Sequence, residues 1–517
     1  MYSGKNRKFV FISGFLLFLC GFFQVSCDRK KDIDGGQYRV PLNTIPKSLD
    51  PSLGDSAESM QISSLMYSTL LRSEPNGKII NHLVSKWSHN KSLTEYDFYI
   101  RPNVFFHDGS KLQCEDIIFS LERLKQDQSL YKDFIDIISD ITSQPEKNYL
   151  CKLKITLKKP FQSFPLTLAM PGFSIVKKSQ ENKKECDCTV GTGPYKFDGI
   201  SEDNTKITFS AFENYFKNDP KIKKVVLMKV DNTEEALGLI KKGVIHHTND
   251  SFFSDEQLEL YGYRKVFFSE MRVFYIGFNT LRYPFSNLAF RKAIYHILDF
   301  SGLENHIAKY DGLRLTSNYI PKGMLGYDPQ IRKKIATEKE ILDFLSRSKI
   351  NIAEMEPIVF AYNPPKPAAE FILRKIRDAF SKYNIPIKIM SNWTDLSSTH
   401  PTKNIDFFLL STAPNVPDPY FMLNYQRTRK EKFEGFTGYS NPMFDKHLDI
   451  YSSLGYASTE ERIEVLRILN RYLIDDYVVL PLYQGSANLA YFKKNIRGIQ
   501  LPFVNFMFPW IEELSIN

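Results

Sequence analysis

A chain of 517 residues is too long for one hydrophobic core and predicts two or three domains. Its 43% hydrophobic and 25% charged residues are those of an ordinary soluble globular protein, and a formal charge of +9 spread along the chain gives no argument for nucleic acid as a partner. Aromatic residues reach 14%, which fits either an aromatic-rich core or a large aromatic-lined cavity.

The first segment reads as targeting rather than fold. Lys5, Arg7 and Lys8 precede an apolar run from Phe9 to Phe23, which falls short of the roughly 20 residues a spanning helix needs and suits a signal peptide. Gln24-Val25-Ser26-Cys27 follows, with a small residue directly before a cysteine, and is similar to a bacterial lipobox, although Gln24 stands where Leu is usual. This predicts a signal peptide over 1–26, a lipid on the thiol of Cys27 and a polar tether over 27–36. A plain secretory signal with an incidental cysteine is the alternative. No later run of 18 apolar residues occurs, so the expected location is the cell envelope, facing the periplasm. That compartment permits disulfides. Cys186 and Cys188 lie too close along the chain to bridge comfortably, so one loop-tethering disulfide, or none, is expected among Cys114, Cys151, Cys186 and Cys188.

Further on, Tyr96, Phe98 and Ile100 alternate with Asp97, Tyr99 and Arg101 as a strand. It runs into a turn at Asp108-Gly109 and a helix opening with Glu115-Asp116. Two-residue alternation predicts strands at Cys151-Leu153-Ile155-Leu157, at Ile207-Phe209-Ala211 and over 225–230. Thr233 is expected to cap a helix that ends at Gly243. Thr337 with Glu340, and Ser458 with Glu461, form capping boxes before apolar helical patterns. Strands and helices without a strict repeat predict α/β lobes with mixed sheets rather than a barrel. The Pro-rich 363–367 segment reads as a turn.

No enzyme motif is present: no GxSxG elbow, HExxH, Walker loop or GxGxxG after a strand. We therefore expect no catalytic residues, no cofactor and no resident metal. The adjacent pair His246-His247 would point to opposite faces of a strand, a poor metal site. A structural hydrogen bond is the plainer account of His107.

Six motifs remain. The tract from Glu95 to Arg123 carries Arg101, Phe106, His107-Asp108-Gly109, Asp116, Ser120 and Arg123. The others are Leu49-Asp50-Pro51, Gly191-Thr192-Gly193-Pro194-Tyr195, Phe278-Asn279-Thr280 with Arg291-Lys292-Ala293, Tyr439-Ser440-Asn441-Pro442 with Phe444-Asp445, and Pro481-Leu482-Tyr483. In type and order they resemble the motifs of the extracytoplasmic solute-binding proteins of peptide and nickel ABC transporters, family 5. The resemblance implies an α/β, two-lobed periplasmic-binding-protein-like fold with a hinge and an inserted subdomain. Lobe I would comprise 37–64, 186–271 and 484–517, the inserted subdomain 65–185, and lobe II 272–483. It further implies a peptide or peptide-like ligand, an ABC permease as partner, and attachment to the membrane through the lipid. A monomer is expected.

The most discriminating segment is DFFLLSTAPNVPDPYFML, Asp406 to Leu423. In peptide-binding members the matching loop carries a Trp that packs the ligand and an Asp that pairs with the α-ammonium of the peptide. Aligning on Asp418-Pro419 puts Thr412 and Asn415 at those two places. Asn accepts a hydrogen bond but carries no charge to offset a buried ammonium. Either another acid serves, with Asp250 and Glu58 as candidates, or the ligand has no free α-ammonium there, as in a blocked or murein-derived peptide. Asn249, Asp250, Tyr275, Tyr483 and Asp418 complete the expected cleft; Tyr275 and Tyr483 could equally be packed hinge residues, and Asp418 is a poor substitute for the missing Asp. Nickel- or haem-binding members, and an envelope lipoprotein that kept the fold but lost transport, are the rival readings.

Overall fold

The computed structural model describes residues 36–517 except 55, 75–76, 127–128, 130, 179–185, 249–254, 269–270, 309–312, 334, 363–367, 392–403, 414–415, 429–436, 455–457, 486–487 and 501–508. Cys27, Asn249, Asp250, Asn415 and the Pro-rich turn therefore lie outside the described residues.

The alternating tract forms the strand Glu95–Ile100, with its inward face buried. It sits in a four-stranded antiparallel sheet between Val84–His89 and Lys152–Leu157, with Ile138–Gln144 at the edge. A second four-stranded sheet pairs Gln37–Leu42 in parallel with Lys224–Lys229, then continues antiparallel through Lys206–Ala211 to Tyr195–Ile200. The strands expected near 153, 209 and 227 are all present.

A six-stranded sheet runs in the order Leu313–Leu315, Val479–Gly485, Arg272–Phe278, Phe407–Thr412, Ile358–Tyr362, Ile387–Ser391. Two of its inner strands lie next in sequence to strands of a three-stranded sheet. Arg272–Phe278 follows Tyr263–Phe268, Val479–Gly485 precedes Asn488–Lys493, and each successive pair is antiparallel.

Both capping boxes form: Thr337 accepts from Glu340 N and Ser458 from Glu461 N, at 3.3 and 3.2 Å. The cap before Thr233 is displaced by one residue. Asn232 holds the position, its Oδ1 accepting from Glu235 N at 2.9 Å, because its side chain reaches the free amide of the first turn. Gly243 closes that helix at φ +65°. Cys114, the first residue of the helix Cys114–Glu122, is bridged to Cys151 beside the strand Lys152–Leu157. Cys188 is disulfide-bonded as well, so the expectation of at most one disulfide is corrected.

The family-like motifs turn out to be joints. The His107 amide donates to Gly191 O at 2.9 Å. Its ring Nδ1 accepts from Gly191 N at 3.2 Å, and Nε2 lies 3.0 Å from Gly193 O, which makes Nε2 the donor. Burial pushes this imidazole down to about 4, so it stays neutral in that role. Arg123 grips Asp50 through both carboxylate oxygens. Ser120 Oγ accepts from Val176 N at 2.9 Å. Glycine is required in the GTGPY run: a Cβ on Gly191 would lie 1.9 Å from Met66 O, and one on Gly193 2.5 Å from Leu65 O.

The later motifs act in the same way. Asn441 caps the helix Pro442–Ser453 and donates to Tyr439 Oη and Asp476, while Thr280 bonds the backbone of Thr437 and Gly438. Arg291 ties Phe285 O to Asp476 O. His246 and His247 are both fully buried and stacked on Tyr38, at 5.3 and 5.6 Å. The pair is packed, not set as ligands.

Candidate functional site

The strand Phe407–Thr412 delivers Thr412, half-buried, to the end of the six-stranded sheet. Beneath it lies a buried network of neutral polar groups. The Tyr319 hydroxyl bonds to the side chains of Thr412, Tyr275 and Gln426, accepting from Gln426 Nε2 at 3.0 Å. Gln426 Oε1 in turn accepts from Thr437 Oγ1 at 2.6 Å. The rings of Tyr275 and Tyr319 meet edge-on at 5.3 Å. Burial pushes both hydroxyls above their ordinary range, so they remain protonated donors. Tyr275 and Thr412 were expected at the cleft, whereas Tyr319, Gln426 and Thr437, which join them here, were not singled out. No local motif marks them, since Tyr319 and Gln426 stand 107 residues apart.

From Thr412 the chain reaches Asp418 in six residues and enters the short helix Pro419–Asn424. Asp418 caps that helix: Oδ1 accepts from Tyr420 N at 2.8 Å and from the Tyr451 hydroxyl at 3.0 Å. Oδ2 accepts from Ser163 Oγ. With 3% of its surface exposed and both oxygens engaged, Asp418 serves as a capping residue here. The Tyr451 hydroxyl also takes a bond from Arg462 at 3.0 Å. Arg462 and Lys78 stand on the walls of a crevice of ≈ 590 Å³ that borders Ser163 and Asp418.

Tyr483, expected either at the cleft or as a packed hinge residue, is packed. It is fully buried and stacked on Phe274 at 4.5 Å, inside the core that also holds Phe278, Phe285 and Phe407. Its position in the central strand Val479–Gly485 directs the ring into packing. Glu58 sits half-buried in the first turn of the helix Ala57–Met66. Among the described residues, no group of three or more His, Cys, Asp or Glu side chains is arranged to hold a metal.

Several mixed and antiparallel sheets with helices packed among them define an α/β protein. Residues 78–434 match the family described as "Bacterial extracellular solute-binding proteins, family 5 Middle", and the chain belongs to that family. It is similar to the probable D,D-dipeptide-binding periplasmic protein DdpA of Escherichia coli (strain K12), 24% identical over 88% of this chain and 89% of the relative. Among solved structures it is similar to DppA of Helicobacter pylori in complex with the peptide STSA, with TM-score 0.80 and 19% identity over 93% of this chain and 98% of the other. The Escherichia coli murein tripeptide binding protein MppA superimposes with TM-score 0.77 and 18% identity over the same 93% of this chain and 98% of the other. These likenesses carry the two-lobed fold.

Proposed function

We propose that this chain is the substrate-binding lipoprotein of an ABC importer, anchored through Cys27. It captures peptides or peptide-like ligands between lobe I (37–64, 186–271, 484–517) and lobe II (272–483) and delivers them to a permease. Ligand binding favours the closed state because only that state touches the ligand from both sides. The ligand leaves chemically unchanged, so no catalytic group is needed.

Within that class we propose a preference for ligands whose α-amine is blocked or modified, such as a murein-derived fragment. The observation that carries this reading is the engagement of Asp418, the acid of the recognition loop, by Tyr420 N, Tyr451 and Ser163. Thr412, six positions earlier in the chain, bonds into a network of neutral hydroxyls and one amide. Burying an α-ammonium without a carboxylate partner costs several kcal/mol, whereas an acylated amine is matched by neutral acceptors. Calorimetry of the mature chain against a tripeptide and its N-acetylated form tests it. The acetylated form should bind at least as tightly, and a clear preference for the free amine would reject the reading.

A further inference from the structure

The buried polar network beneath Thr412 has a direction, fixed by its donors and acceptors. Thr437 is fully buried, and among the described residues its hydroxyl bonds only to Gln426 Oε1, at 2.6 Å. A buried O–H needs an acceptor, so Thr437 donates, and the Gln426 amide is held with its nitrogen toward Tyr319. Gln426 Nε2 has no lone pair to offer and donates to Tyr319 Oη at 3.0 Å. At the other end, the Tyr275 hydroxyl is fully buried and bonds to Tyr319 alone among the described residues. It too must donate, because accepting from Tyr319 would leave its own proton without a partner. A phenol oxygen has two lone pairs and one proton. Gln426 and Tyr275 fill both lone pairs, so the Tyr319 proton goes to the third partner, Thr412 Oγ1.

Thr412 is half-buried at the end of the strand Phe407–Thr412. With Tyr319 donating to it, its own proton has no acceptor among the described residues and is left for a group outside the network. We infer that Thr412 is a specificity-determining residue that presents an O–H donor to the ligand, and that the ligand atom it meets is an acceptor, the carbonyl oxygen of an acylated amine. Tyr319, Tyr275, Gln426 and Thr437 are positioning residues that hold Thr412 in this polarity. The inference rests on the capture reading above and names the ligand group that faces Thr412. An α-ammonium brings protons and no lone pair. It has only the remaining lone pair of Oγ1 to use, strands the Thr412 proton, and finds no charge in the network to offset its own. An acyl carbonyl takes that proton with no charge to bury.

Two measurements on the mature chain test this. The first needs no ligand. Raman difference spectra between the unsubstituted chain and Tyr275→Phe isolate the ring doublet of Tyr275, whose intensity ratio separates a phenol that only donates from one that accepts. A donor-only pattern is expected; an accepting Tyr275 would reverse the network and overturn the inference while capture stands. The second is calorimetry with tri-alanine and N-acetyl-tri-alanine. Thr412→Val removes the hydroxyl at nearly constant shape and should weaken the acetylated peptide about fivefold or more relative to tri-alanine. Thr412→Ser, which keeps the hydroxyl, should restore the ratio. Tyr319→Phe should shift the ratio in the same sense by a smaller factor, whereas a merely structural loss of packing would weaken both peptides alike. An unchanged ratio in Thr412→Val, or a loss falling mainly on tri-alanine, overturns the inference and leaves capture intact. If neither peptide binds the unsubstituted chain at millimolar concentration, the inference and the peptide-capture reading fall together.

Discussion

Replacing His107 by Gln probes the joint between the signature turn and the Gly191–Gly193 segment. Burial pushes the imidazole down to about 4, from an ordinary 6.5. In the unfolded chain the same ring titrates near ~6.5, so between those values the unfolded state takes up a proton that the folded state refuses. The stability this group contributes is complete above about pH 6.5 and is lost as the pH falls toward 4. Linkage across that window amounts to about 3 kcal/mol in full, and to about 2 kcal/mol between roughly pH 7 and pH 5. A glutamine amide can still donate to Gly193 O and accept from Gly191 N, but it does not titrate. Urea unfolding of the mature chain and of His107→Gln, each at the two pH values, isolates the term. Burial also depresses the buried His82 and His247, the latter to about 3, and both are common to the two chains. The unsubstituted protein should lose about 2 kcal/mol more than the variant on acidification. Equal losses would show that His107 is not the neutral bridge drawn here.

Gly191→Ala should cost at least about 3 kcal/mol or abolish folding, because the new Cβ meets backbone at Met66 O that cannot yield. Gly238→Ala, within the helix Thr233–Lys241 and with open space around its Cβ, should instead stabilise by about 0.5–1 kcal/mol. Thermal unfolding of both, with soluble yield, checks the pair. Removing the Cys114–Cys151 bridge as Cys114→Ser/Cys151→Ser releases a link of sequence separation 37. The expected loss is about 3–4 kcal/mol. Denaturant midpoints measure it, and an unchanged midpoint would mean that the reduced chain keeps the same restricted unfolded ensemble.

The sequence alone determined the family, the mixed α/β class and most individual elements, since these rest on local physics. Alternation gives Glu95–Ile100 one buried face, and a Ser or Thr with Glu three residues later satisfies free amides at a helix start. A cap shifts between Thr233 and Asn232 because neighbouring polar residues compete for one amide. Motif spacing also announced that His107, Gly191, Asp50 and Arg123 matter. Only the tertiary structure decided that they hold the molecule together, because each finds its partner across a long stretch of chain. The same holds at the recognition loop. The sequence leaves Tyr483 open between a cleft contact and a packed hinge residue, and only the structure shows Phe274 stacked upon it and Ser163 and Tyr451 on the oxygens of Asp418. A side chain's donors and acceptors are local properties, whereas their occupancy is settled by whatever packing brings within about 3 Å.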